Sequence, residues 1–389
     1  MRDRSVRFLW QDRHAARDFG AAVSLHSHTM HSREALGFLP RWVGQVPILS
    51  WELERQTRRY QARTGRPPDF TSAYWTSPLS SVEAFEVEQH AIENDLGVQA
   101  IVSLTDHDNL DAGCELQSVA RQIPISVEWT VPFAETFFHI GVHNLAVETA
   151  RDVMAALARH TSHPGAALQD LLAALDAEPG LLIVLNHPLW DQAGVGMVRH
   201  LAILRRLLAA SGGRIHALEL NGLRPWTENL MVADLAADSA RPLVSGGDRH
   251  GREPNAVVNL TKATTFAEFA GDVRSGCSHV LFLPQYREPL NLRILQGLFD
   301  VLEHRPDLAA REAWTDRVFY VRGDGTRVPL SSVWNGGGPV AVRWFVGCVA
   351  LAGNGRTQWT LRRMLRFANA RRSWLVPASV SRQPAVTTT

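Results

Sequence analysis

Short apolar runs that alternate with amphipathic stretches constrain the fold of this chain more than any other feature. The runs hold four to seven residues each: Ala22–Leu25, Val98–Leu104, Ile123–Val127, Phe137–Val142, Leu181–Leu185, Ile215–Leu220, Pro242–Ser245 and His279–Leu283. Fully apolar runs of this length favour strands that are buried on both faces. The stretches between them favour helices and include Ser81–Leu96, Arg151–His160, Ala166–Ala177 and Gly196–Ala210.

A strand–helix series of this kind predicts an α/β fold built on a parallel sheet. Over about 260 residues the closed form of such a sheet is a barrel, with its active site where the strands end. Ser80 or Ser81, with Glu83 and Glu86 behind it, predicts the N-terminus of one helix in the series.

The chain has 389 residues, 45% of them hydrophobic, which is enough for one large domain and an appendage. We predict a lead-in at 1–20, a catalytic barrel at 21–289 and an α+β appendage at 290–389. Residues 35–80 interrupt the barrel and are rich in Trp, Pro and Arg. Long insertions are more often functional than structureless, so we expect a lid over the active site.

The appendage carries three local signals. A hairpin is predicted over Val318–Val328, around Gly323–Gly325, and the tail Gln383–Thr389 is expected to be disordered. Thr357–Arg372 predicts a basic amphipathic helix, a type that can bind an anionic membrane or nucleic acid. Its apolar stripe is wide enough for a helix that packs on the barrel, which we favour.

Charge and cysteine usage bound the cellular setting. The net charge of +1 provides no general attraction to nucleic acid or to membranes. The three cysteines are scattered and lack CxxC spacing, which argues against disulfides and favours a reducing cytoplasm. Residues 1–20 lack the apolar segment of a signal peptide. The apolar stretch Val340–Gly353 is shorter than the roughly 20 residues that span a bilayer. These features predict a soluble cytoplasmic protein without a membrane partner and leave its oligomeric state open.

Ionisable residues of metal-ligand type follow almost every predicted strand. They occur in the segments Ser24-Leu25-His26-Ser27-His28-Thr29, Thr105-Asp106-His107-Asp108, Val127-Glu128-Trp129, the run that contains His139, Asn186-His187-Pro188, Glu219-Leu220-Asn221 and Gly246-Gly247-Asp248-Arg249-His250. The period of two along a strand directs His26 and His28 to the same face. A single strand-end histidine is more often structural than a ligand, but the repetition of such clusters predicts one shared metal site.

Five segments resemble, in this order, the motifs of the PHP (polymerase and histidinol phosphatase) family. They are HSHT, TDHD, a Glu followed eleven residues later by the His of FHIGVH, NHP and GGDRH. The resemblance covers about residues 20–285. It implies a distorted (β/α)7 barrel, TIM-like in form, with two or three divalent metal ions. The first metal would be held by His26, His28, Glu128 and Asp248, and Glu128 would bridge to a second metal on His139 and His187.

The third metal would take His107, His250 and an acid from the loop after HSHT. Many family members have Asp five residues after the second His, whereas Arg33 stands there in this chain. Glu34 is therefore the candidate ligand, and His31 competes with it. His143 is interpreted as lying outside the ligand set.

The ligand types determine the expected chemistry. Imidazole and carboxylate together suit Mn, Zn or Fe. Two metals bridged by Glu128 would lower the pKa of a shared water and so provide a hydroxide nucleophile for attack on a phosphate mono- or diester. Three arginines next to strand-end motifs are candidates for binding the substrate phosphate: Arg224, Arg249 and Arg252. Asp106 is the candidate to orient an imidazole or to protonate the leaving group, and Glu219 is not assigned as a ligand.

Two other functions remain open from the sequence. Amidohydrolases also begin with HxH on a barrel strand and act on amides or lactones. Many of them bridge two metals with a carboxylated lysine, but the sole lysine, Lys262, follows all the metal motifs. A non-catalytic PHP module is the second alternative, although eight of nine expected ligands are intact. We predict a small phosphorylated substrate, with nucleic acid possible only as a substrate.

Overall fold

The computed structural model describes residues 5–44, 47–119, 123–165, 167–308, 311–334, 338–355, 357 and 359–360. Its strands are β1 (Val6–Phe8), β2 (Ala21–Leu25), β3 (Glu34–Ala35), β4 (Ala73–Trp75), β5 (Gln99–Ser103), β6 (Asp106–His107), β7 (Ile125–Phe133), β8 (Thr136–Leu145), β9 (Leu182–Asn186), β10 (Ala217–Asn221), β11 (Leu243–Gly246), β12 (Val257–Thr261), β13 (His279–Phe282), β14 (Val318–Val321) and β15 (Arg327–Pro329). Its α-helices are α1 (Leu39–Val43), α2 (Pro47–Thr64), α3 (Ser81–Leu96), α4 (Asp111–Ser118), α5 (Ala150–Ser162), α6 (Leu168–Asp176), α7 (Met197–Ala210), α8 (Trp226–Asp238), α9 (Phe266–Arg274), α10 (Leu290–Leu302), α11 (Leu330–Val333) and α12 (Val340–Gly353).

Two large sheets carry most of the strands, in the orders β1-β13-β12-β2-β5 and β11-β10-β9-β8-β7-β6. The pairs β2–β5, β6–β7, β9–β10 and β10–β11 are parallel, as the strand–helix series predicts. By contrast, β8 is antiparallel to both of its neighbours, and β12 is antiparallel to β2 and β13. The architecture is therefore mixed α/β rather than purely parallel.

The departure at β8 has a local cause. A tight turn at Ala134, which has a φ of +54°, joins β7 directly to β8. No helix intervenes, so the chain returns antiparallel. As a result His139, near the start of β8, reaches the same end of the sheet as Asn186 at the end of β9, which is its register partner.

Backbone hydrogen bonds also connect the two large sheets just beyond the ends of β2 and β11. Gly247 and Asp248 donate their amides to the carbonyls of Leu25 and His26, and His28 donates to Arg249. Thr105 donates to the carbonyl of Ser27 on the other side. These contacts place the HSHT and GGDRH segments side by side.

Several helices begin at the polar residues that the sequence indicates. Ser80 caps α3 by accepting a hydrogen bond from the amide of Glu83, whose side chain bonds back to Ser80, so the predicted start is confirmed. Thr265 and Glu268 form the same reciprocal cap on α9. The helices bury apolar side chains such as Leu157 and Leu207 against the sheet that contains β7 to β10, where Trp129 is fully buried.

A third, small sheet has the order β15-β14-β4-β3. Its strands β3 and β4 belong to the insertion after the first strand, and β14 and β15 form a hairpin in the appendage, as predicted for Val318–Val328. The insertion also contains α1 and α2. Within the part of the chain that the structure describes, no helix is long and apolar enough to cross a membrane. The basic helix expected over 357–372 and the tail at 383–389 fall outside the described residues, apart from positions 357, 359 and 360.

Candidate metal centre

The predicted ligands come together at one end of the two large sheets. Eight of them lie in or just after a strand of these two sheets: His26, His28, His107, Glu128, His139, His187, Asp248 and His250. Glu128 and the pair His26 and His28 are fully buried, and His187 and Asp248 are 5% exposed. A buried group of histidines and acids is costly unless its members are paired or bind metal, and such groups are concentrated at functional sites in proteins.

Three of these residues have left-handed backbone. The φ angles are +63° at His26, +26° at His187 and +53° at Asp248. Residues other than glycine rarely adopt this region, and the strain is concentrated at functional sites in proteins. Here it lets the chain turn sharply at a strand end while the side chain still points into the cluster.

Glu128 is the centre of the cluster. Its Oε1 lies 3.1 Å from His26 Nε2, 3.1 Å from His187 Nε2 and 3.3 Å from His139 Nδ1, and its Oε2 lies 3.3 Å from His28 Nε2 and 3.2 Å from His107 Nδ1. One carboxylate thus contacts five imidazoles with its two oxygens. This is the arrangement expected of a carboxylate that serves two or more cations at once.

Glu34 rather than His31 joins the cluster from the first loop. Its Oε2 lies 3.2 Å from His107 Nε2 and its Oε1 lies 3.1 Å from His250 Nε2. His31 pairs instead with Glu115, at 3.0 Å, and the guanidinium of Arg33 lies over the ring of Tyr74.

Among the residues that the structure describes, four groups of ligand atoms are compact enough to hold a metal ion, with all members of a group within 4.8 Å of one another. They are His28, Glu34, His107 and His250; His26, His187 and Asp248; His26, His28 and Glu128; and His107, Glu128 and His139. Several residues belong to two groups, so the number of metal ions that could bind at once is smaller than the number of groups. The first contains the ligand set implied for a third metal and adds His28. The second joins His187 to His26 and Asp248, but His187 Nε2 also lies 3.4 Å from His139 Nδ1, and both nitrogens contact Glu128 Oε1.

The residues fit divalent cations on two grounds besides their types. His26 Nε2, His28 Nε2 and Glu128 Oε2 are buried and face the cluster, and their close contacts with one another lack the geometry of a hydrogen bond. Burial, with repulsion from His250, lowers the pKa of His28 to about 3, so this imidazole is neutral and can donate its lone pair.

His107 differs from His28 in that its pKa is raised rather than lowered. Burial opposes protonation of His107, but the carboxylates of Glu34 and Glu128 outweigh it and raise its pKa to about 10. Conversely, the pKa of Glu128 lies well below its usual value, because His26, His107 and His139 outweigh the effect of burial. Protonated imidazoles thus supply the positive charge that metal ions would supply.

Glu219 orients the first histidine. Its Oε2 lies 2.6 Å from His26 Nδ1, and its Oε1 accepts hydrogen bonds from the amide of His187 and the side chain of Asn221. A carboxylate on the far nitrogen of a ligand histidine fixes its tautomer and raises its basicity. Gly246 makes room for this carboxylate, since a Cβ there would overlap it. From its position at a strand end, Glu219 was expected near the active-site end of the sheet, but its contact with His26 was not predicted.

The three candidate phosphate-binding arginines lie in different places. Arg224 is near the cluster: its Nη2 is 3.9 Å from Asp248 Oδ2, and its guanidinium lies 4.0 Å from the centre of the Trp190 ring. The ring of Trp190 is in turn 5.0 Å from that of His187. The other two arginines are engaged away from the cluster: Arg249 in a buried ion pair with Glu88 at 2.7 Å and Arg252 in a pair with Glu303 at 2.8 Å. Of the three arginines, only Arg224 has its side chain beside a candidate metal ligand, Asp248.

Asp106 and His143 have their own partners. The carboxylate of Asp106 accepts hydrogen bonds from the amide and hydroxyl of Thr29, at 2.6 and 2.7 Å, so it anchors the HSHT loop. His143 is buried and lies 2.8 Å from the hydroxyl of Ser103, and burial lowers its pKa to about 3. It belongs to none of the four groups.

Two residues that contact the ligands, Ser32 and Asn186, were assigned no role from the sequence, although Asn186 is part of the NHP segment. Ser32 donates to Glu34 Oε1 at 2.6 Å, lies 3.1 Å from His28 Nδ1 and accepts from the amide of His107. Asn186 donates to Glu128 Oε1 at 3.0 Å. Both residues hold ligands in place, and both have side-chain types too common in loops to stand out.

No protein-family model and no curated protein matches the chain. Among solved structures, it is similar to PsfC from Pseudomonas syringae PB-5123, at 16% identity over 57% of this chain and 90% of that one, with a TM-score of 0.39. It is also similar to a putative metal-dependent phosphoesterase from Bifidobacterium adolescentis (14% identity, 51% and 92% coverage, TM-score 0.31) and to an amidohydrolase from Chromobacterium violaceum (16% identity, 59% and 87% coverage, TM-score 0.34). Likenesses at this level carry no argument about activity, which depends on the site itself.

Proposed function

We propose that this protein is a metal-dependent phosphoesterase that hydrolyses a phosphate mono- or diester. The observation that carries the proposal is the contact of one buried carboxylate, Glu128, with five imidazoles. The donors are imidazole and carboxylate without thiolate, a set that suits Mn, Zn or Fe. We also propose a distorted (β/α)7 barrel like that of the PHP family, and the hydrogen bonds between the segments after β2 and β11 support this proposal.

The proposed ligands are nine residues in two or three sites: His26, His28, Glu34, His107, Glu128, His139, His187, Asp248 and His250. Divalent metals bound there would lower the pKa of a water and supply a nucleophile near neutral pH. Glu128 contributes the charge that is shared between sites, and Glu219 holds His26 in the orientation that ligation requires.

Arg224 is the residue we propose for the substrate phosphate. Its guanidinium is oriented by Trp190 and lies at the edge of the cluster, next to Asp248. A guanidinium can form two parallel hydrogen bonds with non-bridging phosphate oxygens and neutralise charge that develops on them. The insertion reaches the same end of the fold, because the Trp75 ring lies 5.5 Å from that of His250. We propose that the insertion shapes substrate choice.

The placement of Lys262 disfavours the amidohydrolase alternative in its lysine-bridged form. Lys262 is exposed and follows β12, which runs antiparallel to β2. It therefore lies at the opposite end of the strands from His26. The alternative with a single metal ion, hydrolysis of an amide or a lactone, is tested by the substrates described next.

The test is hydrolysis by purified protein with added Mn²⁺ on aryl phosphate monoesters and diesters, with an aryl amide and a lactone beside them. We expect turnover of a phosphate ester that Glu128→Gln abolishes while the protein stays folded, because the variant removes the charge that the sites share. His143→Ala is the control and should retain most of the activity. Turnover of only the amide or lactone, or equal loss in both variants, would contradict the proposal.

A further inference from the structure

The small third sheet connects a proposed metal ligand to the C-terminal appendage. Glu34 is the first residue of β3, where it pairs with Trp75 of β4. On its other side β4 pairs with β14, Val318 opposite Trp75 and Phe319 opposite Tyr74. β4 is thus the central strand between Glu34 and a strand that lies far downstream in the chain.

Without β14, the strands that carry Glu34 would have little support. β3 has two residues and β4 has three, and an isolated two-stranded pair is marginally stable at best in water. The third strand adds side-chain packing as well as pairing. The rings of Phe319 and Tyr74 are stacked, with 5.3 Å between centroids and an interplanar angle of 19°.

β14 is itself anchored, through the adjacent Arg317, to the insertion and to the end of α10. The carbonyl of Arg317 accepts a hydrogen bond of 2.9 Å from the amide of Thr76, the residue that directly follows β4. The Arg317 side chain is 1% exposed and donates to the carbonyls of Val301 and Glu303 at the end of α10. Val301 lies in the last turn of α10 and Glu303 directly follows it, where helix carbonyls generally need partners from outside the helix.

Glu34 differs from the other proposed ligands in how it is supported. The other eight lie in or just after strands of the two large sheets, whereas Glu34 lies on the small sheet. Its carboxylate spans His107 and His250, at 3.2 and 3.1 Å, and it can do so only while β3 keeps its register.

We propose that β14 of the appendage is a positioning element for the metal site formed by Glu34, His107 and His250. This inference rests on the proposed function, in which these residues bind a divalent metal. The pairing of β14 with β4 holds β3 in place and so presents Glu34 to the two imidazoles. Because coupling between two sites is reciprocal, metal bound at Glu34 also stabilises β14.

The first experiment titrates Mn²⁺ into the metal-free full-length protein and its variants, with stoichiometry checked by elemental analysis. Glu34→Ala should remove one class of sites, and Phe319→Ala should weaken that same class about tenfold while leaving the others unchanged. The matched control is Val328→Ala on β15, which pairs with Tyr320 and does not contact β4 by pairing. It should bind as the unaltered protein does.

The second experiment needs no change in the appendage, so it holds even if Phe319→Ala fails to fold. Hydrogen exchange of Val318–Val321 should slow when Mn²⁺ is added to the unaltered protein, and should not respond in Glu34→Ala. Exchange that is indifferent to Mn²⁺, or a folded Phe319→Ala with normal affinity at every site, would overturn the inference. If Glu34→Ala loses no metal, the inference also fails, but the proposed function is judged separately by Glu128→Gln.

Discussion

Replacing Glu219 by glutamine tests whether the metal centre depends on a residue that binds no metal. The variant keeps the size of the side chain and removes the charge that faces His26 Nδ1 at 2.6 Å. Both side chains are 1% exposed, so water cannot replace the lost interaction. A hydrogen bond to a charged group contributes about 1.5–3 kcal/mol, and partners of this kind typically change metal affinity by roughly 10- to 100-fold.

We therefore expect Glu219→Gln to weaken the tightest Mn²⁺ or Zn²⁺ site by about 10- to 100-fold, or roughly 1.4–2.7 kcal/mol. The assay is competition against a chelator of known affinity, on protein whose fold is verified by circular dichroism. Asp300→Asn is the matched control: Asp300 is also buried but accepts hydrogen bonds from the Arg252 amide and Gln296. The reasoning fails if Glu219→Gln binds metal normally, or if Asp300→Asn weakens binding as much.

Four further predictions concern the same residues. Arg224→Ala should raise KM for a phosphate ester by about tenfold or more, from the loss of a charged hydrogen bond, whereas Arg252→Ala, which breaks only the pair with Glu303, should change KM little in steady-state assays. Gly246→Ala should reproduce the metal-affinity loss of Glu219→Gln, because its Cβ would displace that carboxylate; normal affinity would refute the assigned role of the glycine. Metal affinity should fall as pH is lowered, since the pKa of His107 is raised to about 10 and its proton must leave before it binds metal. In the metal-free protein the same raised pKa contributes stability below about pH 6.5 that is lost as pH rises through about 10, which thermal melts across that range should detect.

Many residues of the candidate metal centre could be predicted because the ends of strands can be recognised in the sequence. The positions of His26, His28 and Asp248 just after apolar runs need no tertiary information. The period of two was the wrong reason for pairing His26 with His28, because both lie beyond β2 and His26 has left-handed backbone. The antiparallel return of β8 was not foreseen, yet His139 still reached the rim because the hairpin brings the start of β8 to the end of β9.

What the sequence could not predict depends on contacts between distant segments. Arg249 adjoins Asp248, but its side chain turns to Glu88, and adjacency in sequence does not tell which way a side chain points. Ser32 and Asn186 are ordinary loop and strand-end residues until their partners are known. The pairing of β4 with β14 joins segments more than 240 positions apart, for which no local pattern exists.

The left-handed backbone at His26, His187 and Asp248 limits how this centre can be altered. Asparagine, aspartate and histidine tolerate that region best among residues with a side chain, whereas β-branched residues do not. Variant libraries that aim to change the metal preference should therefore use only asparagine, aspartate and histidine at these three positions. Larger changes of residue type belong at other positions. His107 and His139 carry no such restriction, because both lie within strands with ordinary backbone. Their positions are the natural entry points for a thiolate or a second carboxylate, and thus for a centre with a different affinity for soft and hard metals.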